Sequence, residues 1–209
     1  MKQFEYVSKS EYGPVKEELI ELINAVQNEV RDHFTFRYDF IGSASRNMIT
    51  REINGNVGYD FDVNIRVNDP EENYSAEEIR NILIQGFNKY SRYFNYDYAE
   101  DSTRVITIKV KDRENSRILH SCDFAVVFDC GDGRQQYIRF DKMQRSYYWE
   151  FQPKEFYQLP QRIEKIKKAG LWKKVRDLYL YKKCHNDDIC KKSRSIFAET
   201  INEIFDQNV

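Results

Sequence analysis

Asp60 and Asp62 are separated by one residue within a stretch, Asp60 to Val67, that alternates strictly between apolar and polar side chains. Phe61, Val63, Ile65 and Val67 fall on one side and Asp60, Asp62 and Asn64 on the other, the pattern of a half-buried β-strand. Alternation sends both carboxylates out of one face as close neighbours. Two like charges at that separation repel unless a cation lies between them. Hard carboxylate oxygens suit magnesium or manganese, ions that keep water and substrate phosphates among their ligands. The same pair on the solvent side of an edge strand would need no cation, so Asp-x-Asp alone does not decide.

A third carboxylate narrows the choice. Asp123 opens the run Asp123-Phe124-Ala125-Val126-Val127-Phe128, apolar after its first residue, as in a strand covered on both faces. An ionised carboxylate there is costly unless it is paired or bound to metal. A salt bridge to an Arg or Lys is the alternative to a cation shared with Asp60 and Asp62. Upstream, Phe40-Ile41-Gly42-Ser43-Ala44-Ser45-Arg46 reads as a strand that ends in Gly-Ser and runs into a helical turn. Such a turn presents backbone N–H groups and a hydroxyl to an anion, phosphate being the usual one.

Together the three pieces resemble the DNA polymerase β-like nucleotidyltransferase superfamily: Ile41-Gly42-Ser43 after a strand, Asp60-Phe61-Asp62-Val63 on the next, and Asp123 on a later one. The run Gly58-Tyr59-Asp60-Phe61-Asp62-Val63 resembles the branch that contains cyclic-nucleotide synthases. The resemblance covers about the first two thirds of the chain. The 16 residues between Ser43 and Asp60 exceed that family's usual spacer.

The resemblance implies a palm-like sheet on which Asp60, Asp62 and Asp123 are the catalytic, metal-binding carboxylates for two Mg2+ or Mn2+ ions. Asp60 and Asp62 would bridge both ions, and Asp123 would hold the acceptor-side ion and help remove a hydroxyl proton. Gly42 and Ser43 would hold the β and γ phosphates of a nucleoside triphosphate such as ATP. Lys182 and Ser195 are the candidates for the lysine and serine that reach the triphosphate from C-terminal helices in related enzymes. A nucleoside monophosphate would pass to an acceptor hydroxyl with release of pyrophosphate. The acceptor stays open: a second nucleotide, an RNA end, a small alcohol or a protein hydroxyl. Two other readings of the same fold are a nucleotide-binding sensor or scaffold without turnover, and an RNA-binding protein that uses the basic helices.

The elements that must position these residues follow from pattern. Pro14 suits a helix first turn, and Val15, Leu19, Leu22, Ile23, Val26 and Val30 then share one helical face. A strand is expected at Thr35 to Ile41, and a loop with one helical turn from Ser43 to Gly58. Ser75 with Glu78 is a capping-box spacing that opens a helix burying Ile79, Ile82, Leu83, Phe87 and Tyr90. Strands follow at Arg104 to Val110, Arg117 to Asp129 and, after Gly131-Asp132-Gly133, Gln135 to Phe140. Beyond Pro153 the pattern becomes helical: Pro160 to Ala169, Leu171 to Lys183 and Ser195 to Phe205. The expected class is α+β, with a mixed-sheet catalytic lobe over 1–150 and a smaller helical lobe over 151–209.

Composition fits that division. Between Gln161 and Arg194 there are 12 Lys and Arg against 4 Asp and Glu, which leaves 21 against 30 elsewhere. A basic lobe beside an acidic one suits polyphosphate on one side and metals on the other, although a solvated lysine-rich face would look the same. Tyr147, Tyr148 and Trp149 could stack on a base or pack in the core. Cys184-His185 and Cys190, with His120 and Cys122 elsewhere, contain no Cys-x-x-Cys pair, so zinc is not expected. At 209 residues the chain can bury a core without disulfides or structural metal. No apolar run is long enough to span a bilayer and no secretory leader follows Met1, so the expectation is a cytoplasmic protein with reduced thiols.

Overall fold

The computed structural model describes residues 2–69, 71–153, 159–188 and 190–208. In chain order the elements are β1 (Phe4–Tyr6), α1 (Lys9–Glu29), β2 (Thr35–Ile41), a 3-10 turn (Ala44–Arg46), β3 (Thr50–Glu52) and β4 (Val57–Asn68). There follow α2 (Ala76–Tyr90), a second 3-10 turn (Ser91–Phe94), β5 (Glu100–Asp101), β6 (Ile106–Asp112) and β7 (Arg117–Cys130). The chain continues with β8 (Arg134–Asp141), β9 (Ser146–Phe151), α3 (Leu159–Lys168), α4 (Trp172–Cys184) and α5 (Ser193–Asn208). The architecture is α+β with a mixed sheet, as the sequence pattern implies. No helix among the described residues is long and apolar enough to cross a membrane.

These elements form two compact units. The larger comprises 7–49 and 55–152, and the smaller gathers the described residues of 1–6, 50–54 and 153–209. In the larger unit a seven-stranded sheet runs β2-β4-β7-β6-β5, with β8 alongside the far end of β7 and β9 on β8. β4 and β7 are parallel, and every other pair in this sheet is antiparallel. Leu19, Leu22, Ile23 and Val26 of α1 and Ile79, Leu83 and Phe87 of α2 share one buried cluster with Phe61, Val63, Ile65, Phe124 and Val126 of the sheet. At roughly 1.5–3 kcal/mol for each fully buried large apolar side chain, that cluster dominates the stability of the unit. Arg80 of α2 is fully buried, donates through Nε and Nη2 to Asp101 Oδ1 at 2.9 and 2.7 Å, and reaches the Ser102 carbonyl at 3.0 Å. It ties the helix to the edge strand β5.

The smaller unit carries a two-stranded ribbon, β1 antiparallel to β3, with α3, α4 and α5. The ribbon rests on α4: Tyr6 donates to the Arg176 carbonyl at 2.8 Å, and Lys183 donates to Thr50 Oγ1 at 2.6 Å with its ammonium over the Phe4 ring. Cys184 is used here too, its sulfur 3.3 Å from the Phe4 amide. Ile166, Val175, Tyr179, Phe197, Ile201 and Ile204 are buried.

Several elements differ from the sequence reading, among them the short strands β1 and β5, which it does not contain. α1 starts before Pro14, because Ser8 caps it by accepting the Glu11 amide, and Pro14 lies inside the helix beyond the first turn. The capping spacing Ser8-x-x-Glu11 outranks proline as the start signal. The expected loop between Ser43 and Gly58 contains β3, so the long spacer carries a strand of the other unit's ribbon. Ser146–Phe151 is a strand, with Tyr147 and Trp149 packed against the core cluster.

Gly58 shows why the β4–β7 pair is so close. A Cβ there would lie 1.8 Å from the Leu119 carbonyl oxygen and 2.9 Å from that of Ile118. Opposite β6, the register passes from Val110↔His120 to Lys111↔Ile118, leaving Leu119 as the extra residue of a bulge. Only glycine admits that carbonyl. Gly58→Ala is therefore expected to lower stability by about 1–3 kcal/mol or more through overpacking. Thermal melting checks this, and an unchanged melting temperature would show that the two backbones are not in contact there.

Candidate active site

The site is assembled by strand register. In β4, Tyr59, Phe61, Val63, Ile65 and Val67 are buried in the core, so Asp60 and Asp62 leave by the opposite face. In β7, Cys122, Phe124 and Val126 are buried, and Asp123 faces the same way as the two aspartates. The parallel pairing sets Asp62 opposite Asp123 and Asp60 opposite Ser121. On either side, Ile41 of β2 is opposite Asp62 and Thr107 of β6 is opposite Asp123. One row across the sheet therefore reads Ile41, Asp62, Asp123, Thr107, and the next contains Asp60, Ser121 and Lys109.

The carboxylates feel each other. Burial raises the Asp123 pKa above the ordinary carboxylate value, and the Asp60 charge adds to the rise; Thr107 and Lys109 oppose it. Beneath them the Cys122 thiol is pushed well up by burial and further by Asp123, Asp62 and Asp60. Thr107 donates to Asp123 Oδ1 at 2.5 Å. Lys109 is occupied by Glu100. His120, buried on the core face, donates to or accepts from the Tyr96 hydroxyl at 3.0 Å, and burial lowers its pKa to about 4. It is a neutral core residue at ordinary pH, and it packs face to face with Tyr59.

Gly42 and Ser43 follow β2 directly and reach this row. Gly42 has φ +62°, and a Cβ on it would lie 2.2 Å from Asp62 Oδ2. The turn backbone thus lies against the carboxylate, in a conformation that L side chains rarely adopt. Ser43 precedes the 3-10 turn with no capping bond from its hydroxyl, while its carbonyl accepts the Arg46 and Met48 amides at 3.2 and 2.9 Å. Asn47, left-handed at φ 54°, closes the turn, and its side-chain oxygen accepts from the buried Tyr12 hydroxyl at 2.8 Å. Sequence pattern brought out neither Thr107 nor Tyr12. Thr107 lies between Ile106 and Ile108 in an alternating stretch, which gives its face, but its partner depends on register.

Lys182 and Ser195 lie on the C-terminal helices. Both belong to the smaller unit: Lys182, on α4, is paired with Glu203 at 2.6 Å, and Ser195 is in the first turn of α5. Among the described residues no three His, Cys, Asp or Glu side chains converge into a ready-made cation cage. Asp60, Asp62 and Asp123 are neighbours on one face of the sheet, where their like charges repel. Their oxygen-only character and shared face fit a hard divalent ion.

No protein-family model matches the sequence, and no curated protein matches it. Solved structures do. The GTP-bound form of DncV from Vibrio cholerae is similar with a TM-score of 0.62 and 18% identity, over 98% of this chain and 53% of that one. The same organism's DncV cyclic AMP-GMP synthase with nonhydrolyzable GTP gives 0.61 at 16% identity, covering 98% and 54%. CdnC from E. coli MS115-1, with ATP, gives 0.56 at 18% identity, covering 98% and 62%. The chain shares the fold of these proteins, and it spans between about half and two thirds of their length.

If Ser43 donates to a phosphate, Ser43→Ala removes one hydrogen bond to a charged group, worth about 1.5–3 kcal/mol. That is roughly one to two decades in nucleotide affinity. With no capping bond to lose, the melting temperature is expected to stay the same. Nucleotide titration and melting on one preparation read both quantities. Unchanged affinity would move the phosphate away from Gly42-Ser43.

Proposed function

We propose that the protein is a metal-dependent nucleotidyltransferase that moves a nucleoside monophosphate from a nucleoside triphosphate to an acceptor hydroxyl, with Asp60, Asp62 and Asp123 as its metal-binding carboxylates. The observation that carries this reading is the row in which Asp62 faces Asp123 across parallel strands, with Asp60 beside it and the Gly42 backbone against Asp62. A purely structural sheet has no use for three carboxylates on one face. The fold shared with nucleotide-bound DncV and CdnC supports it.

In this mechanism Asp60, Asp62 and Asp123 would hold the divalent ions, with Asp123 serving the acceptor hydroxyl. When bound, the ions supply charge stabilisation to the acceptor oxygen and the phosphates. Gly42 and Ser43 position the β and γ phosphates, so that the acceptor oxygen bonds to the α-phosphorus as the bond to the leaving pyrophosphate breaks. The half-buried Asp123 carboxylate is suited to accept the hydroxyl proton. Lys182 and Ser195 are proposed as phosphate contacts from the helical unit. A second nucleotide is the acceptor best supported, since one structural neighbour is DncV cyclic AMP-GMP synthase in complex with a linear intermediate, 5' pppA(3',5')pG.

Incubation with each labelled nucleoside triphosphate and Mg2+ or Mn2+, followed by product analysis, tests the reading. A dinucleotide and pyrophosphate are expected. Asp123→Asn is expected to lower turnover at least about a hundredfold with the fold intact, because only a charge is removed. A folded wild-type protein that binds nucleotide without releasing pyrophosphate would be a sensor or scaffold. Salt-sensitive RNA binding that ignores the metal would instead favour the RNA-binding reading.

A further inference from the structure

The row that contains Asp62 and Asp123 does not end at the carboxylates. Its next member is Thr107, in register with Asp123 on the antiparallel strand β6. The Thr107 hydroxyl donates to Asp123 Oδ1 at 2.5 Å, a length typical of an O–H bond to an ionised carboxylate. Ile106 and Ile108, fully buried on either side of it, anchor the strand in the core. Thr107 itself contributes little to that core, so its side chain is spent on the outer face. The other polar neighbours on that face do not duplicate it. Lys109 lies one row away and is paired with Glu100, and Ser121 is opposite Asp60 and Lys109.

We propose that Thr107 is a positioning residue for Asp123: its hydroxyl holds Oδ1 and fixes the rotation of the carboxylate, leaving Oδ2 as the oxygen offered to a divalent ion. This rests on the metal-binding reading of Asp123. A carboxylate free to rotate would give two interchangeable oxygens, whereas a small divalent ion of strict geometry is served by one held in place. Partners of this kind, one bond removed from the ion, commonly change metal affinity by about 10–100-fold when removed. Threonine also explains itself chemically. It is β-branched, as a strand prefers, and it is a donor without charge, so it orients Asp123 without neutralising it.

The test is Mn2+ binding to the folded full chain in the presence of a nonhydrolysable nucleoside triphosphate, measured by electron paramagnetic resonance on four proteins: wild type, Thr107→Val, Thr107→Ser and Asp123→Asn. Thr107→Val keeps the shape and the strand preference and deletes the hydroxyl. It is expected to weaken Mn2+ by about 10–100-fold, with Thr107→Ser restoring most of the affinity. A merely structural threonine would show the opposite ranking, with valine harmless to Mn2+ and serine the more destabilising in melting. If Asp123→Asn loses Mn2+ and Thr107→Val does not, the positioning role is wrong and the metal reading stands. If Asp123→Asn binds Mn2+ like the wild type, the metal reading itself fails, and this role with it.

Discussion

Pairing β4 parallel to β7 sets Asp62 beside Asp123, and most of the larger unit exists to make that pairing possible. Parallel neighbours cannot be joined by a tight turn; they need a long crossover. Here the chain from Asn68 to Arg117 supplies it, and on the way it lays α2 over the core face and adds β5 and β6 to the sheet. The apolar halves of β4 and β7 are held down by α1 and α2, which forces the polar halves, carboxylates included, onto the opposite face. Burial on one side thus drives charge crowding on the other. At Asp123 burial first, and then the Asp60 charge, raise the pKa above the ordinary carboxylate value. A divalent ion would offset the repulsion among the carboxylates, which is the physical link between the hydrophobic core and the proposed chemistry.

Two glycines let the backbone come close enough for this arrangement. Gly58 admits the Leu119 carbonyl at the bulge that precedes Ser121 and Asp123 in β7. Gly42 admits the Asp62 carboxylate at the end of β2. The turn after Gly42 is then braced from α1 through the Tyr12 hydroxyl and Asn47, with Tyr12 also edge-on to Phe61 in the core. The proposed phosphate turn and the proposed metal face are therefore fixed by the same buried strand.

Much of this was legible in the sequence because it rests on periodicity. Alternation in Asp60 to Val67 gave the strand and its polar face, and the Ser75–Glu78 spacing gave the start of α2, where the full capping box is present. What pattern cannot supply is register. That Asp62 is opposite Asp123, and Thr107 beyond it, depends on which strands pair and where the Leu119 bulge falls. β1 and β3, three residues each, are too short to show alternation, and they pair with each other from far apart in sequence. α1 starts earlier than Pro14 suggests, because the Ser8 side chain caps it. Lys182 and Ser195 came from the family resemblance alone, and the structure assigns them to a different unit from the carboxylates.

The central claim is that the carboxylate face binds nucleotide through divalent ions. The most direct measurement is the thermal shift produced by a nonhydrolysable nucleoside triphosphate with Mn2+ and with EDTA, on the wild type and on Asp60→Asn/Asp62→Asn. A ligand at a hundred times its Kd stabilises the fold by about 2.7 kcal/mol, enough to move the melting temperature clearly. The account predicts a large shift with Mn2+, a small one with EDTA, and loss of the difference in the double variant. Equal shifts in Mn2+ and EDTA for the wild type would contradict it.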